Sequence, residues 1–260
     1  MIITFLGTGT SQGIPVITCK CPVCQSVDYR DKRLRTSAFI EVDNSNFVID
    51  TGPDFRQQML RENINQLDAV LFTHEHKDHV AGLDDIRSFN FYQKKDMPVY
   101  GSKQVLNALK KEFAYAFAPV KYPGVPQITL NELNNGTQTI NGIEVLPIQV
   151  MHYKMPVFGF RIKDFVYITD ANYISEEEKE KMKGAEVLVV NALQKEDHIS
   201  HFTLDQALEL IQEIKPKKAY LTHFSHRLGK HADISLELPD NVELAYDGLK
   251  IELGDKNIEL

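Results

Sequence analysis

The stretch "LFTHEHKDH" gathers four metal-binding side chains, His74, His76, Asp78 and His79, into six residues. Imidazole nitrogens with a carboxylate oxygen suit zinc, manganese or iron. Four such groups exceed what one catalytic metal accepts while keeping an open position, which argues for two ions in one site. Three more candidates each follow an apolar run: His152 after "LPIQVM", Asp170 after "FVYIT" and His223 after "KAYLT". Singly, each reads as readily as a solvated residue. Together with the first cluster they complete two coordination spheres and leave room for a bridging hydroxide. A second constellation, "TCKCPVCQ", holds all three cysteines, Cys19, Cys21 and Cys24. Their odd number and tight spacing argue against a disulfide framework. C-x-C-x-x-C is thiolate spacing for zinc, which needs a distant histidine or carboxylate as its fourth ligand; a redox cluster is the alternative.

These side chains need strands and helices to bring them together. Short β-branched and aromatic runs predict strands over 2–7, 37–42, 46–50, 69–73, 142–150, 157–162, 165–169, 186–190 and 218–222. Helices are predicted over 54–64, 78–90, 102–117, 175–182 and 203–214, and a closing hairpin over 242–253. Strand alternation points His74 and His76 the same way, and a helix starting near Asp78 turns Asp78 and His79 back toward them. Two strand-then-helix halves without a linker predict an α+β chain, an αβ/βα four-layer sandwich forming one domain over 1–260.

The composition is that of a soluble globular chain, 43% hydrophobic and 25% charged over 260 residues. The net charge of -7 argues against nucleic acid as partner, because such affinity comes largely from neutralising phosphates. No apolar run is long enough to span a membrane. The start, "MIITFLGTGTSQG", lacks the basic and small-residue features of a signal peptide, so a cytoplasmic protein is expected. "GTGTSQG" lacks the P-loop lysine and full dinucleotide spacing, and reads as a turn near the site.

"THEHKDH" matches the H-x-H-x-D-H pattern of the metallo-β-lactamase-fold hydrolases, and "ITD" and "LTHFSHR" resemble their later metal motifs. The resemblance runs from "FLGTGTSQGIP" through "IDTGPDFRQQ" and "GLDDIR" to "LTHFSHR". It implies a first metal on His74, His76 and His152, a second on Asp78, His79 and His223, and Asp170 bridging them. Within that superfamily the early C-x-C-x-x-C resembles the PhnP-type cyclic phosphodiesterases. That likeness implies a structural zinc on Cys19, Cys21, Cys24 and His226. It also implies two active-site ions, zinc or manganese, and a homodimer.

The expected activity is hydrolysis of small phosphodiesters, cyclic ones among them. A metal-bridged hydroxide attacks phosphorus while the cations neutralise the phosphoryl oxygens. Spacing against the family favours His201, in "HFT", as general acid or transition-state stabiliser; an ordinary capping histidine is the alternative, and His198 is the weaker candidate. Asp78 counts among the catalytic groups as well as the ligands. Asp84 or Asp85 could orient a ligating imidazole or lie on a helix surface. Asp50 is read as lying behind the ligands, and Arg56 as a surface or substrate-side cation. Two other functions compete. A transfer RNA 3′-processing endonuclease shares "THFS" but calls for a basic, Gly-Pro-rich arm, which 100–200 lacks. A non-catalytic accessory protein would have lost ligands, and all seven positions are filled. A bridging carboxylate in place of a thiolate argues against antibiotic hydrolysis.

Overall fold

The computed structural model describes residues 1–254, so the last six residues of the domain expected over 1–260 lie outside the described residues. The chain opens with β1 (Ile2–Gly7), β2 (Ser37–Val42), β3 (Ser45–Ile49), β4 (Ala69–Leu71), β5 (Met97–Gly101) and β6 (Ile128–Glu132). It continues with β7 (Gln138–Ile140), β8 (Ile143–His152), β9 (Met155–Ile162), β10 (Phe165–Tyr167), β11 (Val187–Asn191), β12 (Lys218–Thr222), β13 (Val242–Leu244) and β14 (Lys250–Glu252). These form two seven-stranded sheets, ordered β14-β1-β2-β3-β4-β5-β6 and β13-β12-β11-β10-β9-β8-β7. Each sheet has an antiparallel part, β14 to β3 and β7 to β10, that passes into a parallel part reached by crossovers.

The parallel strands read as continuous apolar runs because both of their faces are buried. In β11, Val187 and Val189 join a core with Phe5, Phe47, Phe160 and Tyr220 between the sheets, while Leu188 and Val190 face the helices. The first sheet is covered by α1 (Phe55–Arg61), α2 (Lys77–Val80), α3 (Arg87–Gln93), α4 (Lys103–Glu112) and α5 (Ala114–Phe117). The second is covered by α6 (Glu176–Glu180), α7 (Leu204–Ile214) and α8 (His231–Ser235). This is the four-layer αβ/βα sandwich. Among the described residues no helix is long and apolar enough to cross a membrane.

Three expectations need correction. The stretch 242–253 is not a hairpin: β13 pairs with β12 in one sheet and β14 with β1 in the other. The helix expected over 78–90 divides into α2, a 3-10 turn at Leu83–Ile86 and α3. Gly82 stands between them, and a Cβ there would lie 2.1 Å from the Gly52 carbonyl oxygen. Close approach to the 50–52 turn, fixed by Thr51 N–H to His79 O at 2.8 Å and Gly82 N–H to Thr51 O at 2.8 Å, therefore overrides helix continuity. The helix expected over 102–117 breaks at Phe113, whose ψ of 39° departs from the helical range. Helix α7 begins as its sequence requires: Thr203 and Gln206 form a capping box.

A buried polar pillar ties the first loop to the last quarter of the chain. The Arg33 guanidinium donates to Thr8 Oγ1 at 2.7 Å, to Ala245 O at 2.6 Å and to His231 Nδ1 at 3.1 Å. It also lies over the Phe224 ring, 4.4 Å from the centroid. Burial, then the Arg33 and Arg30 charges, hold the His231 imidazole down to about 4. The native state therefore prefers neutral His231, and its contribution is complete above the ordinary value of about 6.5. Acidification through pH 6 to 4 removes it, at a cost of about 1–2 kcal/mol. Substituting His231→Asn is expected to flatten the fall in Tm between pH 7 and pH 4.5. An unchanged fall places the acid sensitivity elsewhere.

Candidate metal centre

The candidate ligands converge where the parallel strands end. His74 lies three residues beyond β4, Asp170 three beyond β10, and His223 directly after β12. His152 closes β8, and α2 returns Asp78 and His79 to the same edge. Asp50, Asp170 and His223 have φ values of 62°, 56° and 59°. A left-handed backbone at a non-glycine residue is costly, and it persists where the surroundings fix it. Here it turns each side chain back over its strand end. The Asn191 side chain fixes one such turn, accepting from Ala171 N–H at 2.8 Å and donating to Ala171 O at 3.0 Å.

A fully buried carboxylate, Asp50, organises the first half of the site. It accepts from His79 Nδ1–H at 2.7 Å, from Thr73 N–H at 2.9 Å and from the Thr73 hydroxyl at 2.8 Å. With its proton given to Asp50, Thr73 Oγ1 accepts from His74 Nδ1–H at 3.0 Å. Both imidazoles are thereby held through Nδ1, with Nε2 turned inward. The second half repeats the device. Thr169 donates to Asp170 at 2.6 Å and lies 3.3 Å from His223 Nδ1, so the His223 Nε2 lone pair faces inward. His152 Nδ1–H donates to Ser200 O at 2.9 Å, leaving its Nε2 for the site.

The inward atoms crowd together. His74 Nε2 and His76 Nδ1 are 3.1 Å apart, and His74, His76 and His152 present donor atoms within 4.8 Å of one another. His79 Nε2 is 3.2 Å from Asp78 Oδ2 and 3.4 Å from Asp170 Oδ2, while His223 Nε2 is 3.3 Å from Asp170 Oδ1. Bonds of about 2.0–2.2 Å to one ion give ligand–ligand edges of about 3.0–3.5 Å. Buried and without a hydrogen-bond partner, His79 Nε2 sits where a cation fits. Burial holds the His74 and His223 imidazoles neutral. Burial also works against charge on His79 and Asp170. Even so, Asp170, Asp78 and Asp50 raise His79, and His223, His79 and His74 keep Asp170 ionised. Three carboxylates, Asp50, Asp78 and Asp170, thus gather with the imidazoles at one strand edge, a nitrogen and oxygen donor set that suits cations.

His201 shares this space. Its rings-to-neighbour distances are 4.7 Å to His152 and 4.9 Å to His223. Its Nδ1 is buried without a hydrogen-bond partner, 3.8 Å from Asp170 Oδ1. Burial holds this imidazole down to about 3. His198 is exposed at the rim, 5.1 Å ring to ring from His201.

Asp84 is turned away from the imidazoles, to the Tyr115 hydroxyl and to Arg87 at 3.2 Å. Asp85 and Arg56 line a separate groove with Phe55, Met59 and Tyr92. The imidazole-orienting carboxylate is therefore Asp50, the residue read as lying behind the ligands. Thr73 and Thr169 were missed. Their signal is a thrice-repeated pattern in which threonine precedes the ligand: "FTH", "ITD" and "LTH".

The cysteines gather at a second place. The Cys19, Cys21 and Cys24 sulfurs lie 3.3, 3.4 and 3.6 Å from His226 Nδ1. A tetrahedral zinc with Zn–S of about 2.3 Å and Zn–N of about 2.0–2.1 Å has S···N edges of about 3.5 Å. Burial would raise the Cys21 thiol. The Cys24 amide, the His226 ring and the other two thiols nevertheless bring it down to about 6. Burial pushes Cys24 up to about 11, reinforced by Cys21 and Cys19. Three thiolates ionise together only around a cation.

Residues 45–224 match the β-lactamase superfamily domain. A solved structure of a new diphosphatase from the PhnP family superposes with a TM-score of 0.91 at 36% identity, covering 96% of each chain. Zinc-bound PqqB from Methylobacterium extorquens shares the fold at 19% identity, with a TM-score of 0.80 over 97% of this chain and all of that one. An octanoyltransferase of Porphyromonas gingivalis is 38% identical over 98% of this chain, which spans only 52% of that protein's length. A ribonuclease Z of Staphylococcus epidermidis is 27% identical over 46% of this chain and 40% of its own.

Two substitutions separate the two places. Asp50→Asn is expected to weaken divalent-metal binding about 10–100-fold, read by competition with a chromophoric chelator. Unchanged affinity would remove Asp50 from the positioning of His74 and His79. Cys21→Ala is expected to lower zinc content by one ion per chain and to expose 16–26 to proteolysis before global unfolding. Unaltered zinc content with intact resistance would reject a metal at the cysteines.

Proposed function

The chain belongs to the β-lactamase superfamily and to its PhnP-like branch, and from that membership we propose that it is a metal-dependent hydrolase of small phosphodiesters. We read residues 1–260 as one domain carrying the whole activity. The observation that carries the proposal is Asp170: its two oxygens face different imidazoles, Oδ2 toward His79 and Oδ1 toward His223. A carboxylate in that position suits two cations, one on His74, His76 and His152 and the other on Asp78, His79 and His223. The nitrogen and oxygen donors accept zinc or manganese. Such a pair, when bound, supplies Lewis acidity and an activated water for in-line displacement at phosphorus.

The chain's own residues do the rest. Asp50 and Thr73 hold the His79 and His74 rings through Nδ1, and Thr169 lies against Nδ1 of His223. His201 presents an unpartnered, buried nitrogen beside Asp170, placed to donate to a phosphoryl oxygen or to the leaving group. The cysteine cluster with His226, read as a structural zinc, pins the first loop three residues from His223. The diphosphatase name of the PhnP-family neighbour supports chemistry at phosphorus and adds phosphoanhydrides to the candidate substrates. RNA processing has weaker support. The Gly-Pro-rich connection 118–127 is short and carries one lysine, Lys121.

The test is a parallel assay of metal-loaded protein on an aryl phosphodiester, a 2′,3′-cyclic nucleotide, a ribosyl 1,2-cyclic phosphate, a diphosphate diester and a precursor transfer RNA. Turnover of the small diesters is expected, falling at least about 10³-fold in Asp170→Ala. Cleavage of the RNA alone would transfer the assignment to a processing nuclease. No turnover with either metal would favour an accessory role.

A further inference from the structure

A cleft of about 620 Å³ opens beside the site, floored by His76 and His152 and walled by Tyr153, Lys154, Ile199 and Gln104. Two of its walls are large apolar side chains left open to solvent: Tyr153 is 49% and Ile199 66% exposed. Tyr153 occupies the turn between β8 and β9, immediately after His152, with φ of 55°. Glycine or asparagine suits such a position, and a tyrosine there is strained. The turn is held from outside: Asn172 Oδ1 accepts from Tyr153 N–H at 2.7 Å, and Asn172 N–H donates to Met151 O at 2.8 Å. Asn172 Nδ2 also donates to Ile199 O at 3.3 Å, so one residue fixes both walls. Lys154 places its ammonium over one face of the Tyr153 ring, 5.2 Å from the centroid. Among the described residues, no carboxylate forms an ion pair with Lys154.

We propose that Tyr153 and Ile199 form a subsite for a planar nucleobase on the substrate, with Lys154 beside it to meet the phosphate oxygens. The substrate class is then a small nucleotide diester. This rests on the hydrolase reading for its chemistry but not for its binding. An apolar wall explains an open ring better than phosphate recognition alone does, since a phosphate has no flat face to stack. The neighbouring cation fits a ligand that joins a base to an anion. The strained turn places that ring one residue from His152, within a nucleotide's reach of the metal ligands.

Two readouts test it on the metal-loaded protein. The first is the kcat/KM ratio for thymidine 5′-p-nitrophenyl phosphate over methyl p-nitrophenyl phosphate, which share a leaving group. The ratio is expected to fall about ten-fold in Tyr153→Ala, the scale of one base–aromatic stack, mainly through KM, and to recover in Tyr153→Phe. The second is calorimetric binding of adenosine monophosphate against ribose 5-phosphate. Tighter binding of the nucleotide is expected in the wild type, with the difference lost in Tyr153→Ala. A ratio unmoved by Tyr153→Ala, or equal binding of the two ligands by the wild type, overturns the subsite. If neither ester turns over, the hydrolase reading fails while the binding comparison still decides the subsite.

Discussion

The candidate site depends on one buried carboxylate that stands behind the imidazoles. Asp50 is fully buried and accepts three hydrogen bonds from two residues, His79 and Thr73. Burial lifts its carboxyl above the ordinary carboxylate range. The His79 charge and the two Thr73 donors oppose that, and Asp50 in turn decides which nitrogen of each imidazole faces inward. Asn at this position could be accommodated by shape, but its amide would present a donor where His79 already brings one. The candidate ligands are therefore positioned from behind, by hydrogen bonds to Asp50 and Thr73.

Backbone strain and hydrogen bonding act together here. Four positive-φ residues, Asp50, Tyr153, Asp170 and His223, stand at or just beyond strand ends around the site. The glycines opposite have a complementary role. Gly52 would place a Cβ 2.2 Å from Asp78 O, so only glycine lets the Asp50 turn press against the loop that carries Asp78 and His79. The same economy recurs in the two halves, with Thr73 serving His74 and Thr169 serving His223. Each threonine passes on a proton and accepts one.

How much of this was legible in the sequence varied with the range of the interaction. Strand limits at 2–7 and 37–42 match β1 and β2, because alternation and turn residues act locally. The dense cluster "THEHKDH" was legible at once, while His152, Asp170 and His223 stood out only beside it, and the structure brings them to the same edge. The supporting threonines were not, because threonine is an ordinary strand residue. Asp84 and Asp85 drew attention by proximity in sequence, yet a 3-10 turn aims Asp84 at Tyr115. The closing stretch 242–253 carries the local marks of a hairpin. Nothing local says that its two strands complete different sheets.

The cysteine cluster also bears on how the molecule is assembled. Its fourth member stands 207 residues from Cys19, beyond every other residue of the site. An ion shared by these residues would close a loop of 207 residues, a contact of long sequence separation with a large closure entropy. An ion held there would need its thiols reduced, and it would fasten the first loop to the segment that follows β12.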